Sequence, residues 1–357
     1  MKKLKIAQIA PLWETIPPKK YGGIEIMMDK IINELIKRGH EVTLFASGNS
    51  KTKAKLKSVF PKSLFEMKVD WYHRSQNLIN AANAFSMANN FDIIHNHTGD
   101  NGLLFSQTTK TPVLTTLHNV LPGAKQKNSD EYIALKYFSK KTNFVSISFN
   151  QRTHSDIKFN YIGTIYNGIN INDFIFNPKS KNYLVWLGRI HYGKGLWNAI
   201  NAAKISKEKL IIAGNITCET DEKYFQSVKP MIDGKQIKYI GEVDSRKKNE
   251  LLGNAKAVLF PTIWEEPFGL VMIEAMACGT PVIGFNKGSV SEVIKDGKTG
   301  FIVKDDKEMI KAIKNIDKID RAECRKHVEK YFTIEKMVDG YEEVYEKIIE
   351  SYKKFKV

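Results

Sequence analysis

Two glutamates stand eight residues apart in the stretch Glu266-Pro-Phe-Gly-Leu-Val-Met-Ile-Glu274, and the predicted start of a helix lies between them. A helix N-terminus leaves backbone N–H groups unpaired and carries partial positive charge, so the amides of Phe268, Gly269 and Leu270 form an anion site. Carboxylates beside an anion site suit a ligand with both phosphate and several hydroxyls, which is the chemistry of a sugar nucleotide. Helical steps of about 100° would leave the two carboxylates about 80° apart around the axis, facing one side. An N-cap carboxylate followed by a solvated helix face would show the same spacing.

Further residues could act on the same ligand. Arg189 and Lys194 lie in Gly188-Arg-Ile-His-Tyr-Gly-Lys-Gly195, a loop predicted to join a strand to a helix. Two cations on such a loop suit a diphosphate, because they can neutralise charge that builds on a leaving group. The loop does not match G-x-x-x-x-G-K-[ST], which excludes a Walker-type phosphate loop. Gly22 and Gly23 precede a predicted helix from Ile24 to Arg38, where paired glycines admit a phosphate close to the backbone or simply make a turn. Gly241-Glu242-Val243 ends a predicted strand, and Gly241 and Val243 are candidates to seat a nucleobase.

Imidazoles recur at strand ends. Phe91 to His97 and Pro112 to His118 read as buried strands delivering histidine at the C-terminal edge, where open α/β sheets bind ligands. His118 can hydrogen-bond a sugar hydroxyl or move a proton near neutral pH. His95 and His97 could ligate a metal, but no third ligand is near in sequence; contact with a polar acceptor or strand-end packing fits better. No metal site is expected. Trp13, Trp71 and Asn119 join His95 and His97 as acceptor-side candidates.

Positioning these residues needs regular elements. A strand from Lys5 to Ala10, the helix from Ile24 and a strand from Glu41 to Ala46 make a β-α-β unit, and Ser47 to Trp71 reads as irregular and basic. Helical periodicity returns at Ser75 to Asn89, and a polar linker from Asn172 to Lys181 precedes a second series of strands. That series holds Tyr183 to Gly188, Lys209 to Gly214, Ile237 to Val243, Ala257 to Phe260 and Val282 to Phe285. The helix after Phe268 stops at Gly279, with Pro281 beyond, and a last helix runs from Ile334 to Lys356. At 357 residues the chain exceeds what one core usually serves, so two doubly wound α/β domains are predicted.

The long string from Glu266 through Ala275-Met-Ala-Cys-Gly-Thr-Pro-Val-Ile283 resembles the E-x7-E signature of retaining glycosyltransferase family 4, and the likeness extends over essentially the whole chain. It implies the GT-B fold, two facing Rossmann-like domains with the active site in the interdomain cleft. Residues 1–172, completed by a C-terminal helix at 334–357, would form the acceptor side, and 173–333 the nucleotide-sugar donor domain. Carried over position by position, the resemblance places Gly22 and Gly23 near the donor phosphates and His118 on the transferred sugar. Arg189 and Lys194 would bind the diphosphate, Glu266 the sugar hydroxyls and Glu274 the ribose. The amides of Phe268, Gly269 and Leu270 would hold sugar and phosphate. His118, Arg189, Lys194 and Glu266 are thereby the catalytic candidates.

The N-terminal runs Ile6 to Glu14 and Tyr21-Gly-Gly-Ile-Glu25, with Phe91 to Thr98, are similar to a subgroup that includes bacterial UDP-glucose:tetrahydrobiopterin glucosyltransferases. The implied reaction moves a hexose from UDP-glucose or a similar donor to a hydroxyl, by same-face attack without a protein nucleophile. No Asp-x-Asp motif occurs, so no obligatory metal or other cofactor is expected beyond the nucleotide-sugar co-substrate. The alternatives are a GDP-mannose-dependent mannosyltransferase of glycan or lipid assembly, and a non-catalytic sugar-nucleotide-binding module.

Composition bounds the setting. With 42% hydrophobic residues the chain is globular, and no apolar run is long enough to predict a membrane span. Met1 to Ala10 reads as a first strand rather than a signal peptide. Cys218, Cys278 and Cys324 show no metal-ligand spacing and fit a reducing cytoplasm. The net charge of +16 leans to the N-terminal half, most visibly at Lys51, Lys53, Lys55, Lys57, Lys62 and Lys68. Such lysines suit peripheral contact with an anionic inner membrane face or a solvated lysine-rich loop, the second being preferred. No motif for nucleic acid accompanies the charge. The expected partners are a nucleotide-sugar donor and a small-molecule, glycan or lipid-linked acceptor.

Overall fold

The computed structural model describes residues 2–19, 22–69 and 73–354, so Tyr21 and Trp71 lie outside the described residues. The chain forms two compact units, Met1–Gly168 with Ile334–Val357, and Ile169–Thr333.

The first unit is built on β1 (Lys5–Ile9), β2 (Glu41–Phe45), β3 (Lys55–Lys57), β4 (Ile93–Asn96), β5 (Val113–Leu117), β6 (Asn143–Ser146) and β7 (Tyr161–Thr164). All pair in parallel, in the order β3-β2-β1-β4-β5-β6-β7. Helices α1 (Gly23–Lys37), α2 (Ser75–Ser86), α3 (Asp100–Leu103) and α4 (Asp130–Phe138) join them. Parallel strands are covered on both faces and so become near-continuous apolar runs. Gln8, His95, Thr115, Thr116 and Ser146 break those runs although each is fully buried, so each needs a hydrogen-bond partner inside the protein. The strand order reverses between β1 and β4, the switch point at which such sheets bind ligands.

The basic stretch expected to be irregular contains β3, at the edge of this sheet. Three residues are too few to show a period. Lys55 and Lys57 are the first and last residues of an edge strand, where charged side chains discourage pairing with another chain. That location supplies a structural reason for these lysines without invoking a membrane.

The second unit repeats the plan with β8 (Leu184–Leu187), β9 (Leu210–Ala213), β10 (Ile237–Tyr239), β11 (Ala257–Phe260), β12 (Val282–Phe285) and β13 (Gly300–Val303). These too are parallel, in the order β10-β9-β8-β11-β12-β13, with the switch point between β8 and β11. The helices are α5 (Leu196–Ile205), α6 (Glu219–Val228), α7 (Ser245–Asn254), α8 (Leu270–Ala277), α9 (Val290–Val293), α10 (Asp306–Asn315) and α11 (Arg321–Tyr331). β10 is shorter than the predicted strand to Val243, because an edge strand has one neighbour to extend it.

Helix α8 begins between Glu266 and Glu274, as the sequence suggests. Gly269 caps it at φ +78°, a left-handed conformation that excludes earlier helical turns, and a Cβ there would lie 2.8 Å from Phe260 Cζ. Glu266 therefore sits in the preceding loop. The expected 80° relation around one helix axis does not apply to it and Glu274.

The last helix, α12 (Ile334–Lys354), belongs to the first unit. Its stripe of Met337, Val338, Tyr341, Val344, Tyr345 and Ile348 is buried, each such side chain contributing roughly 1.5–3 kcal/mol. Arg38 binds Asp339 at 2.8 Å, and His40 Nε2 meets Glu342 Oε1 at 2.8 Å. Among the described residues no helix is long and apolar enough to cross a membrane.

Candidate active site

In the second unit, the β8–α5 loop and the β11–α8 loop leave adjacent strands at the switch point. The Gly193 carbonyl accepts from Ile263 N (2.9 Å) and Thr262 Oγ1 (3.1 Å), which fastens the two loops together. Lys194 Nζ thereby reaches Glu266 Oε2 in an ion pair and lies 4.7 Å from the centre of the Trp264 ring. Trp264 Nε1 donates to the same Glu266 oxygen at 2.7 Å.

Arg189 makes a two-pronged pair with Asp221, through Nε at 2.8 Å and Nη2 at 3.2 Å. Asp221 is fully buried and also accepts from Thr217 Oγ1 at 2.6 Å. Burial alone would raise its carboxyl, but hydrogen bonds from Arg189 and Thr217 outweigh that and hold it below the usual range. Hydrogen bonding to Asp221 in turn raises Arg189, despite burial. Both predicted cations are thus preset by carboxylates, Asp221 in the first turn of α6 and Glu266 in the β11–α8 loop.

Glu274, inside α8, pairs with Lys248 Nζ of α7 at 2.6 Å rather than sharing a partner with Glu266. Phe268 is buried, with its carbonyl bonded to Ser289 Oγ at 2.6 Å; Gly269 and Leu270 follow at the capped helix start. Gly241 and Val243 lie on the loop after β10, two strands from β8.

The first unit carries its own set. A cavity of about 350 Å³ opens at its switch point, lined by Trp13, His97, His118 and Asn119 among others. His97 Nδ1 lies 2.8 Å from His118 Nε2, and His97 Nε2 lies 2.8 Å from Gln8 Oε1. Gln8 Nε2 donates to the Tyr345 hydroxyl at 3.2 Å. An amide oxygen only accepts, so His97 carries its proton on Nε2 and accepts at Nδ1 from the Nε2–H of His118. The neutral His118 ring then keeps Nδ1 as an acceptor.

His95 is fully buried and lies outside this cavity lining. Its Nδ1 lies 2.7 Å from the Tyr345 hydroxyl and its Nε2 lies 2.7 Å from Thr116 Oγ1, so it supports the network from behind the cavity. Residues two apart on a strand share a face, and the His95 ring sits behind that of His97, 3.9 Å away between centroids. Burial pushes His118 down to about 4 and drives His95 and His97 well below the ordinary imidazole range.

Gly22 caps α1, and Gly23 opens it. A Cβ on Gly22 would lie 2.9 Å from the Pro18 ring and 3.0 Å from Glu25 Oε2, so this glycine is required by close packing whether or not a phosphate approaches.

Residues 21–173 match the family model described as Glycosyltransferase Family 4, and residues 170–331 match Glycosyl transferases group 1. The chain is a group 1, family-4-like glycosyltransferase. It is 26% identical to the N-acetyl-alpha-D-glucosaminyl L-malate synthase of Bacillus anthracis, over 94% of this chain and 97% of that protein. It is 32% identical to the O-antigen chain mannosyltransferase RfbU of Salmonella typhimurium, over 46% of each. The HepE structure from Anabaena in complex with UDP-glucose superposes with a TM-score of 0.74 at 18% identity, covering 96% of this chain and all of that one. The fold is GT-B.

Several residues that shape this glycosyltransferase's candidate site carried no signal in the sequence. Asp221 is one of three acids in the first turn of α6, with nothing to set it apart. Lys248 and Trp264 are unremarkable in composition and acquire their roles from packing. Glu25 follows the glycine pair and lines the first-unit cavity at 6% exposure, where burial pushes its carboxyl up to about 7. A buried helix-start acid after a glycine pair was the available hint. A second cavity, of about 430 Å³ near Lys256 and Pro281, lies by residues that precede β11 and β12, at the opposite sheet edge from Arg189 and Glu266.

Proposed function

We propose that this glycosyltransferase moves a hexose from a UDP-sugar to a hydroxyl of its acceptor with retention of anomeric configuration. The second unit would bind the donor and the first the acceptor. The observation that carries the reading is the Lys194–Glu266 pair, with Arg189 held nearby in sequence by buried Asp221. A diphosphate offers both cations a more highly charged partner than a carboxylate. Its arrival would release Glu266 to accept hydrogen bonds from sugar hydroxyls.

As the sugar–phosphate bond breaks, charge grows on the diphosphate, and Arg189, Lys194 and the amides of Phe268 to Leu270 stabilise it there. The acceptor oxygen attacks the same face, and the leaving phosphate oxygen takes its proton, so no protein nucleophile is needed. Glu274 would hold the ribose, Gly241 and Val243 the base, and Gly22 and Gly23 would border the phosphates. Neutral His118 would hydrogen-bond the transferred sugar, with Trp13, His97 and Asn119 toward the acceptor. Arg189 and Lys194 would make a metal dispensable.

UDP is favoured through the likeness to HepE, solved with UDP-glucose. GDP-mannose is the second reading, favoured by the likeness to the O-antigen mannosyltransferase. Thermal unfolding with UDP, GDP, ADP and their sugar conjugates, with and without EDTA, tests both, since a ligand bound only by the folded state raises its stability. Stabilisation by UDP ligands in EDTA is expected. Stabilisation by GDP-mannose alone would transfer the assignment to mannose, and a flat response throughout would overturn the donor site.

A further inference from the structure

The first-unit cavity has a charge character opposite to that of the chain. Glu25, Asp100 and Glu131 line it, and Arg74 is the cation among its lining residues. Arg74 is already engaged, by Asp100 and by Asp130 Oδ2 at 3.5 Å. His97 and His118 are neutral, their shared bond fixed by Gln8. Among the described residues this leaves an acidic pocket in a protein of net charge +16.

Glu25 is the informative member. It is 6% exposed and lines the cavity, and its carboxylate accepts from its own backbone N–H, with no side-chain cation or donor against it among the described residues. The nearby charge of Glu14 works against its ionisation, as burial does. A buried carboxylate is costly unless a cation or several donors meet it. The fold does not supply that cation among the described residues, although α1 could bury a leucine in the same place at no electrostatic cost.

The rest of the cavity suits a small ring. Its volume is at the lower end of ligand pockets, enough for one small ligand. Trp13, braced by Phe65 at 5.6 Å between ring centroids, offers an apolar face. Buried Asn77 and exposed Asn119 offer amide groups to hydroxyls.

We propose that this cavity takes an acceptor bearing a protonated amine, of the amino sugar or aminocyclitol class, with the ammonium group seated against Glu25. The proposal rests on the reading of the first unit as the acceptor side. An acceptor carrying a phosphate or carboxylate would meet like charge from Glu25 and Glu131 and be excluded.

Calorimetric titration of the full chain, saturated with UDP, with glucosamine, glucose and glucuronate tests this on one ring size. Glucosamine is expected to bind at least about ten-fold more tightly than glucose, and glucuronate more weakly than either. Glu25→Gln should cut the advantage of glucosamine over glucose to less than about three-fold. Glucosamine binding no better than glucose overturns the proposal, and so does an advantage that survives Glu25→Gln. The wild-type ranking needs no variant to fold. Thermal stabilisation by UDP in the same preparation reports separately on the donor site, so its loss would sink the transferase reading and leave the ranking interpretable.

Discussion

His97 Nδ1 and His118 Nε2 lie 2.8 Å apart, and through Gln8 this contact connects the cavity to the Tyr345 hydroxyl on α12. The tautomer of His118 is thereby set by a helix from the far end of the chain. His118→Ala should lower turnover by about 100-fold while leaving UDP affinity within about three-fold. Steady-state kinetics beside UDP titration checks it. Equal losses in both would remove His118 from the transferred sugar.

Gln8→Leu addresses the same network without touching the cavity lining. It leaves the buried His97 Nε2–H without its acceptor, which should cost about 1–3 kcal/mol in chemical unfolding. A variant as stable as the wild type would show that the network does not bear on the fold.

The three histidines make stability depend on acid. His118 has a native value of about 4 against an ordinary 6.5, so the unfolded chain binds its proton more tightly. The stabilisation is fully present above pH 6.5 and is lost as pH falls toward 4, by about 3 kcal/mol for a shift of this size. His95 and His97 act in the same direction. A His118→Asn variant should lose less stability than wild type between pH 6.5 and 4; parallel curves would contradict the assigned neutral ring.

Glu25 works in the opposite sense. Its native value of about 7 lies above the ordinary 4.5, so the protonated form favours the native state. That stabilisation is full below pH 4.5 and disappears as pH rises through 7. Glu25→Gln should therefore stabilise the protein by up to about 3 kcal/mol at pH 8 and by little at pH 4.5. Unfolding at the two pH values reads the difference directly.

Arg189 cannot be removed cleanly, because Asp221 is fully buried behind it. Arg189→Ala should lower turnover about 100-fold and also destabilise by about 1–3 kcal/mol. Adding Asp221→Asn should recover most of the stability and none of the turnover. Recovered turnover in the double variant would mean that Arg189 serves the fold and not the donor.

The elements were legible where the pattern was long or chemically marked. The apolar runs at Ile6, Ile93, Val113 and Val258 read as buried parallel strands, since a sheet covered on both faces requires such runs. Gly279 ends α8 with φ +87°, as its position before Pro281 indicated. The three-residue β3 was not legible, because three residues show no period. The start of α8 fell between Glu266 and Glu274 as the sequence indicated, and the left-handed turn at Gly269 marks the boundary.

By itself the sequence determined the α/β class, the doubling of the domain plan, and the glutamate string and cationic loop of a sugar-nucleotide transferase. These are properties of short contiguous stretches, which local periodicity and spacing can report. The tertiary structure alone decided which charges meet. Lys194 and Glu266 are 72 residues apart and Tyr345 and His95 are 250 apart. Parallel strands become neighbours through long crossovers, so their register, and not their order in the chain, selects the partner of each buried polar group. That selection separated His118, on the cavity wall, from His95, which holds the network behind it.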